Sequence, residues 1–227
     1  MEANTKITFL DQISLFDILS LEEKQRLAQV LEFRRIAKHD YIYQQNDYSD
    51  AIHFLAKGVV KIGAHSEDGR EVIKSVLHPL ALFGELSLVG EKRRGDFAAA
   101  MNEEVGVYSL KIGYLQRLMR ENFKLSTRVI GLLGERLRRT ESRLESLIFK
   151  DARARIIDFL VDAANKRGKR IGVDETLVKH SLTQQDIANI TGTSRQTVTS
   201  VLNELKKMNL IHFNRRSILI RDMANLA

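Results

Sequence analysis

The 227-residue chain contains no cysteine. Disulfide bonds, thiolate catalysis, zinc fingers and Cys-ligated iron–sulfur clusters are therefore excluded. The sequence also lacks a low-complexity tract, a stretch apolar enough to span a membrane, and the apolar core of a signal peptide near its N-terminus. From these absences we expect a cytoplasmic protein without a membrane partner.

Positive charge is concentrated in the last third of the chain. The formal net charge is +7, and residues 151–227 hold 13 Lys and Arg against 8 Asp and Glu, whereas residues 1–150 hold the remaining 23 against 21. A basic excess suits a polyanionic partner, because neutralising phosphates releases counterions. Many soluble domains are mildly basic, so the charge alone does not identify the partner.

The segment from Leu182 to Ile211 has the pattern of two helices joined by a tight turn. Thr183 is predicted to cap a first helix over 184–190, and Ser194 a second helix over 195–208. Gly192 lies between them, where the turn requires a positive φ. The apolar positions face inward, which leaves four polar side chains pointing outward near the start of the second helix: Arg195, Gln196, Thr199 and Ser200.

These outward side chains suit the recognition of DNA bases. Arginine can donate two hydrogen bonds to guanine and glutamine can bond adenine, and a recognition helix carries its base contacts near its N-terminus. Two predicted strands, 210–213 and 217–220, then flank a basic turn that resembles a phosphate-gripping wing. A plain helical hairpin would share the helix spacing, and the wing favours DNA binding. The candidate DNA-binding residues are Thr183, Ser194, Arg195, Gln196, Thr199, Ser200, Arg215 and Arg216.

The first 122 residues are predicted to form a small β barrel. A helical segment over 15–31 precedes short strands punctuated by turns, which extend from about 33 to 110. Many short strands within about 80 residues indicate a sandwich or jelly roll.

A long helix is predicted over 123–149, with apolar positions at alternating steps of three and four residues. Such a heptad seam needs a partner helix. The alternative is that the stripe packs on the chain's own barrel. The candidate dimer residues are Ile130, Leu133, Leu137, Thr140, Leu144 and Leu147.

A further helix begins at Asp151 and ends at Gly168, with no flexible linker before it. The predicted domains are therefore a barrel over 1–122, a dimerisation helix over 123–150 and a winged helix-turn-helix over 151–227. The fold class is α+β. Rotation at the junction near 149–151 could move the DNA-binding heads.

This order of elements resembles the Crp/Fnr family of bacterial transcription regulators. The matching blocks are residues 15–28, 40–62, 68–88 and 182–211. The resemblance implies a homodimer that binds palindromic double-stranded DNA, contacts RNA polymerase and responds to a small effector in the barrel. It implies no catalytic residue and no metal site.

The resemblance also identifies a candidate effector site. In the branch that binds cyclic AMP, a Gly-Glu pair and an Arg-Ser pair hold phosphate and ribose, and a Thr-Ser pair on the dimer helix contacts the purine. The sequence matches this pattern in part: Gly95 replaces the serine of the second pair and is followed by Asp96, and Glu141 replaces the serine beside the threonine. The alternative is a turn with a structural ion pair. The candidate effector residues are Gly84, Glu85, Arg94, Gly95 and Thr140.

Three other functions stay open at this point. A haem-based gas sensor would take its iron ligand from the barrel histidines, which are His39, His53, His65 and His78. A regulator without an effector is the second alternative. A metal-dependent barrel enzyme is the remote third, because the histidines are 12 to 14 residues apart and lack the His-x-His clustering that such sites need.

Overall fold

The computed structural model describes residues 2–214 and 217–226. Two compact units are present. The first comprises the chain up to Gly69 together with Lys74–Arg139, and the second comprises Arg70–Ile73 together with the chain from Thr140 onward. Within the described residues, no helix is both long and apolar enough to cross a membrane.

The first unit begins with helical segments. They are α1 (Glu2–Asp11), a 3-10 helix (Ser14–Phe16) and α2 (Leu21–Val30). Ser20 caps α2 because its hydroxyl accepts from the Glu23 amide while the Glu23 carboxylate accepts from the Ser20 amide. The sequence did not predict α1, which places Phe9 and Leu10 in the buried core.

Eight strands follow and build the barrel. They are β1 (Glu32–Ile36), β2 (Tyr41–Tyr43), β3 (Ala51–Lys57), β4 (Val60–His65), β5 (Glu71–Leu77), β6 (Leu82–Phe83), β7 (Phe97–Ala100) and β8 (Val105–Lys111). They form two four-stranded sheets, with orders β1-β8-β3-β6 and β2-β7-β4-β5. Leu55 and Val107 from one sheet share a buried cluster with Val60 and Ala98 from the other. This shared core confirms the predicted barrel.

Two helices follow the barrel: α3 (Ile112–Glu121) and α4 (Phe123–Phe149). The bounds of α4 agree with the long helix predicted over 123–149. Leu125 and Val129, in its first half, are buried against the core of the first unit.

The second unit contains α5 (Ala152–Arg167), β9 (Lys169–Arg170), β10 (Thr176–Lys179), α6 (Gln184–Thr191), α7 (Arg195–Lys207), β11 (Ile211–Phe213), β12 (Ser217–Ile220) and α8 (Met223–Leu226). Asp151, where the sequence predicted this helix to begin, caps α5 by accepting from the Ala154 amide. The four strands form one sheet of order β11-β12-β10-β9. The unit is therefore a winged helix-turn-helix, and the α+β class is confirmed.

Candidate functional site

A tight turn after β6 brings three of the predicted effector residues together. Gly84 has φ of +75° and leads into a 3-10 helix, Glu85–Val89. Arg94 Nη1 donates to the Gly84 carbonyl at 2.9 Å. A Cβ on Gly84 would lie 2.8 Å from Arg94 Nη1. Both the backbone conformation and this close approach therefore require glycine.

Arg94 points into the protein and is only 3% exposed. Its Nη2 donates to the Ala51 carbonyl on β3, and its Cζ lies 4.4 Å from the centroid of the Tyr43 ring. Its Nε is buried without a hydrogen-bond partner within the described residues. An unpaired buried donor is costly, so Arg94 Nε has the capacity to donate one further hydrogen bond.

Glu85 is also 3% exposed, and its partner is a cation that the sequence did not predict. Arg136 Nη1 on α4 bonds Glu85 Oε1, while Arg136 Nη2 donates to the Leu82 carbonyl. Burial raises the pKa of Glu85, and the positive charge of Arg136 opposes that shift. Glu85 Oε2 has no hydrogen-bond partner among the described residues. Arg136 lies four residues before the candidate Thr140 on one helix face, and this spacing is the one sequence feature that associates it with the candidate site.

Aromatic side chains line the interior beside this turn. The His53 ring lies 5.6 Å from the Tyr43 ring and 5.2 Å from the Phe83 ring, centroid to centroid. His53 Nδ1 is 2.9 Å from Ser109 Oγ. Burial, reinforced by the positive charge of Arg94, lowers the pKa of His53 to about 3. His53 is therefore a neutral core residue at physiological pH.

Gly95, which departs from the family pattern, and the adjacent Asp96 both have hydrogen-bond partners of their own. The Gly95 amide donates to Glu91 Oε1 at 3.1 Å. Asp96 accepts from the Tyr43 hydroxyl at 3.2 Å and from Lys74 Nζ at 3.4 Å. Burial and the nearby Asp96 charge raise the pKa of Tyr43. Tyr43 therefore contacts the Asp96 carboxylate through its hydroxyl and the Arg94 guanidinium through its ring.

The remaining effector candidate and three of the four haem candidates lie at or near the surface. Thr140 is an exposed residue of the second unit. His39 and His65 are exposed and His78 is half-buried. Over residues 2–214 and 217–226, no group of three or more His, Asp or Glu side chains is arranged to hold a metal ion.

The predicted caps of the helix-turn-helix are confirmed. Thr183 accepts from the Asp186 amide and, through the Asp186 carboxylate, forms a complete capping box at α6. Ser194 accepts from the Thr197 amide at the start of α7. Gly192 has φ of +63°, as the turn requires. The hydroxyls of Thr183 and Ser194 therefore fix the two helix N-termini.

The first turns of α7 present polar side chains on one face. Arg195, Gln196 and Ser200 are exposed. Thr199 is half-buried, and its hydroxyl donates to Gln184 Oε1 at 2.7 Å, which links α7 to α6. The opposite face packs into the core through Val198, Val201, Leu202 and Leu205.

The wing is an antiparallel hairpin in which Phe213 pairs with Ile218. Arg215 and Arg216, the two predicted phosphate contacts, lie outside the described residues. Their contribution to a DNA-binding surface stays a prediction.

The predicted seam of α4 is divided between the surface and the core. Leu133 is half-buried and packs against the core of the first unit, whereas Thr140 is exposed. The other four members are large apolar side chains that are more than half exposed: Ile130, Leu137, Leu144 and Leu147. Phe123, one heptad before Ile130, is 84% exposed and extends the same stripe.

Two family models match the chain. Residues 33–122 match a cyclic nucleotide-binding domain, and residues 154–227 match a Crp-like helix-turn-helix domain. These ranges coincide with the barrel and the winged helix of the structure.

Curated relatives and solved structures agree with these matches. The chain is 32% identical to the CRP-like cAMP-activated global transcriptional regulator of Mycobacterium tuberculosis, over 82% of each chain. It is 28% identical to the global nitrogen regulator of a Nostoc species, over 82% of this chain and 83% of that relative. The structure of a CooA mutant from Carboxydothermus hydrogenoformans superposes with a TM-score of 0.74 at 27% identity, covering 87% of each chain.

Proposed function

Because the chain belongs to the Crp/Fnr family of transcription regulators, we propose that it binds a palindromic DNA site as a homodimer. The main support for DNA binding is the polar face of α7, where Arg195, Gln196 and Ser200 are exposed opposite a buried apolar face. Its outward side chains have the donors that base edges require. Such a regulator acts where the bacterial chromosome is, in the cytoplasm.

The test of DNA recognition compares three variants in which a basic residue is replaced by alanine. Arg195→Ala is expected to weaken binding by about 1–3 kcal/mol and to relax the preference for one base pair. Arg215→Ala removes a proposed phosphate contact, so it is expected to weaken all duplexes alike and to reduce the salt dependence. Lys207→Ala removes the same charge at the far end of α7 and is the control. Fluorescence anisotropy against a duplex selected from a random library measures all three.

Two results would contradict this assignment. Binding of the wild type that never exceeds binding to random duplex, at physiological salt and with any effector tried, removes the DNA-reading function. Equal losses on all sequences for Arg195→Ala would show that Arg195 contacts phosphate only.

Homodimerisation through α4 is supported by the exposed stripe. Ile130, Leu137 and Leu144 are separated by seven residues each, and all three are more than half exposed. A heptad stripe of this kind is stabilised when a second helix covers it. Two copies would present two recognition helices, which suits a palindrome. A wild-type protein that sediments as a monomer at micromolar concentration would refute the dimer.

A small effector is proposed for the cradle formed by Gly84, Glu85 and Arg94. The support is the pair of buried polar atoms without a partner, Glu85 Oε2 and Arg94 Nε. Cyclic AMP or a related nucleotide suits this pair, because a phosphate accepts from a guanidinium and a ribose hydroxyl donates to a carboxylate. Gly95 and Thr140 are proposed as secondary contacts.

Calorimetry with cyclic AMP, cyclic GMP and linear nucleotides tests the effector. Loss of the phosphate contact in Arg94→Ala is expected to cost about 1.5–3 kcal/mol of binding. Binding that is unchanged in Arg94→Ala would place the ligand elsewhere. Absence of nucleotide binding together with a Soret band after purification with haem would favour a gas sensor, and absence of both would favour a regulator without an effector.

RNA polymerase is the proposed protein partner, supported by the relatives, which are named as transcriptional regulators. In vitro transcription from a promoter that carries the selected site tests this partner. A change in transcript yield that depends on the site is expected. No catalytic activity is proposed.

A further inference from the structure

A single guanidinium joins two parts of the second unit that are distant in sequence. Arg155, in the first turn of α5, donates from Nε to the Thr191 carbonyl at 2.8 Å and from Nη2 to the Gly192 carbonyl at 3.1 Å. Its Nη1 donates to the Lys150 carbonyl at 2.7 Å. One planar side chain thus links the α4–α5 junction to the turn of the helix-turn-helix.

The three acceptors lie at the C-terminal ends of helices. Lys150 directly follows α4, and its amide still donates to the Ser146 carbonyl at 3.1 Å. Thr191 is the last residue of α6, and Gly192 is its C-cap. The last carbonyls of a helix have no partner within the helix and carry its negative dipole end. Arg155 therefore neutralises two helix ends at once.

Arginine is the side chain suited to this geometry. Its guanidinium holds five donors in a rigid fork, whereas lysine offers one compact ammonium on a flexible stem. Because the guanidinium is rigid, its hydrogen bonds to the three carbonyls hold the two helix ends at a fixed separation.

A second contact joins the same two segments. A Cβ built on Gly192 would lie 3.0 Å from Leu147 Cδ2. The last turns of α4 therefore pack directly against the helix-turn-helix turn. Leu147, a predicted member of the dimer seam, therefore lies beside the turn at Gly192 within the same unit.

We infer that Arg155 is a positioning residue that ties the helix-turn-helix turn to the end of α4, so that in a dimer the paired α4 helices set the separation of the two recognition helices. This inference rests on the proposed homodimer and its palindromic site. An increase of one base pair between half-sites rotates one of them by about 35° around the DNA axis and moves it about 3.4 Å. A helix-turn-helix that is held rigidly against α4 binds the altered spacing poorly, whereas one that is held loosely can still bind it.

The experiment measures spacing discrimination by the full-length protein. A symmetric duplex of the selected site is compared with duplexes in which the central spacer is one base pair longer or shorter. The measured ratio is the affinity for the selected spacing divided by the affinity for an altered spacing. Arg155→Met is expected to reduce this ratio by about two- to thirty-fold, the range found for residues that couple sites. A residue that only stabilises the fold would lower the affinity for all spacings together and leave the ratio unchanged.

Arg153→Met is the matched control. Arg153 lies on the same helix and carries the same charge, and its Nε bonds Glu204 of α7 on the surface at 3.2 Å. Its substitution is expected to leave the ratio unchanged. An equal fall with Arg153→Met would attribute the effect to lost positive charge and overturn the inference.

The other outcomes are distinguishable. Arg155→Lys keeps the positive charge and loses the forked donors of the guanidinium. It is therefore expected to reduce the affinity ratio while the protein still folds. If Arg155→Met fails to fold, Arg155→Lys serves as the test variant. An unchanged ratio in a folded Arg155 variant overturns the inference while DNA binding stands. A wild type that binds no duplex specifically contradicts the proposed function itself.

Discussion

The buried carboxylate of Glu85 is held by the guanidinium of Arg136 from α4. The same guanidinium donates to the Leu82 carbonyl, at the start of the strand that precedes the Gly84 turn. The turn and the long helix are therefore joined by charge-assisted bonds within one unit. A ligand that bonds Glu85 competes with or reinforces this link, and so biases α4 by its difference in affinity for the two arrangements.

Removal of Arg136 should expose the cost of an unpaired buried carboxylate. Arg136→Met is expected to lower the free energy of unfolding by about 1–3 kcal/mol, less than for a fully buried pair because the Arg136 side chain is partly in solvent. Adding Glu85→Gln should restore most of the loss, because the buried charge is then gone. Urea unfolding of the wild type, both single variants and the double variant measures this. Strictly additive losses would show that the two side chains do not interact.

The same variant has a predicted pH dependence. Burial raises the pKa of Glu85, and without Arg136 nothing of comparable charge opposes that shift as closely. The folded variant then takes up a proton at higher pH than its unfolded form, whose carboxyl titrates near pH 4.3, so its unfolding free energy increases as the pH falls toward that value. The deficit of Arg136→Met relative to the wild type should therefore be larger at pH 8 than at pH 5. A deficit that is equal at both values contradicts this account.

Substitution of Gly84 should displace Arg94. Gly84→Ala places a side chain in the left-handed region, at a cost of about 1–2 kcal/mol, and its Cβ collides with the guanidinium. Gly90 is the matched control, because it has φ of +97° and a Cβ there would meet nothing within 4 Å. Gly84→Ala is expected to destabilise the protein by about 1.5–3 kcal/mol more than Gly90→Ala, the value of hydrogen bonds to a charged group. Thermal unfolding of both variants decides the point, and equal losses would show that Arg94 adapts.

A lysine in the exposed stripe should separate assembly from folding. Leu137 is 60% exposed in the single chain, so Leu137→Lys is expected to spare the fold of the protomer. In a dimer the same lysine would be buried at a cost of several kcal/mol, which should raise the dissociation constant by about a hundredfold or more. Tyr114→Lys, an exposed apolar position on α3, is the control. Sedimentation over a concentration series measures both, and a Leu137→Lys protein that stays fully dimeric would exclude this face.

The buried histidine should make stability fall in mild acid. Unfolded His53 takes up a proton near pH 6.5, whereas the folded side chain does so only near pH 3. Between these values the unfolded state binds more protons, so the free energy of unfolding decreases as the pH is lowered, by up to about 1.4 kcal/mol per pH unit from this group. His53→Gln removes this contribution. Its stability should therefore change less steeply between pH 6.5 and 4, and identical slopes for the two proteins would contradict the assignment.

Elements with local signals were predictable from the sequence. The sequence predicted a long helix over about 123–149, and its three- and four-residue apolar spacing lies within α4, Phe123–Phe149. Thr183 and Ser194 were identified as caps because a cap acts on amides within three residues of itself. The turn at Gly192 was predicted for the same reason, since glycine favours a positive φ at a helix C-terminus.

Features that depend on distant contacts were missed. Helix α1 has weak periodicity, and its burial of Leu10 against residues of the barrel is what stabilises it. Arg136 lies 51 residues from Glu85 in sequence, so nothing local connects them. Leu133, a predicted member of the dimer seam, is half-buried and packs against the core of the first unit, a contact that spacing alone does not reveal. Sequence spacing defines a helix face, and only packing decides what covers it.

All three acceptors of the Arg155 guanidinium are main-chain oxygens. The link therefore does not depend on which side chains occupy positions 150 and 191, and none of these three hydrogen bonds is made to α7. Exchanging Arg195, Gln196 or Ser200 should redirect the protein to another DNA site while leaving the link between α4 and the helix-turn-helix turn unaltered. A regulator with this arrangement can diversify its targets during evolution, or be redirected by engineering, one recognition residue at a time.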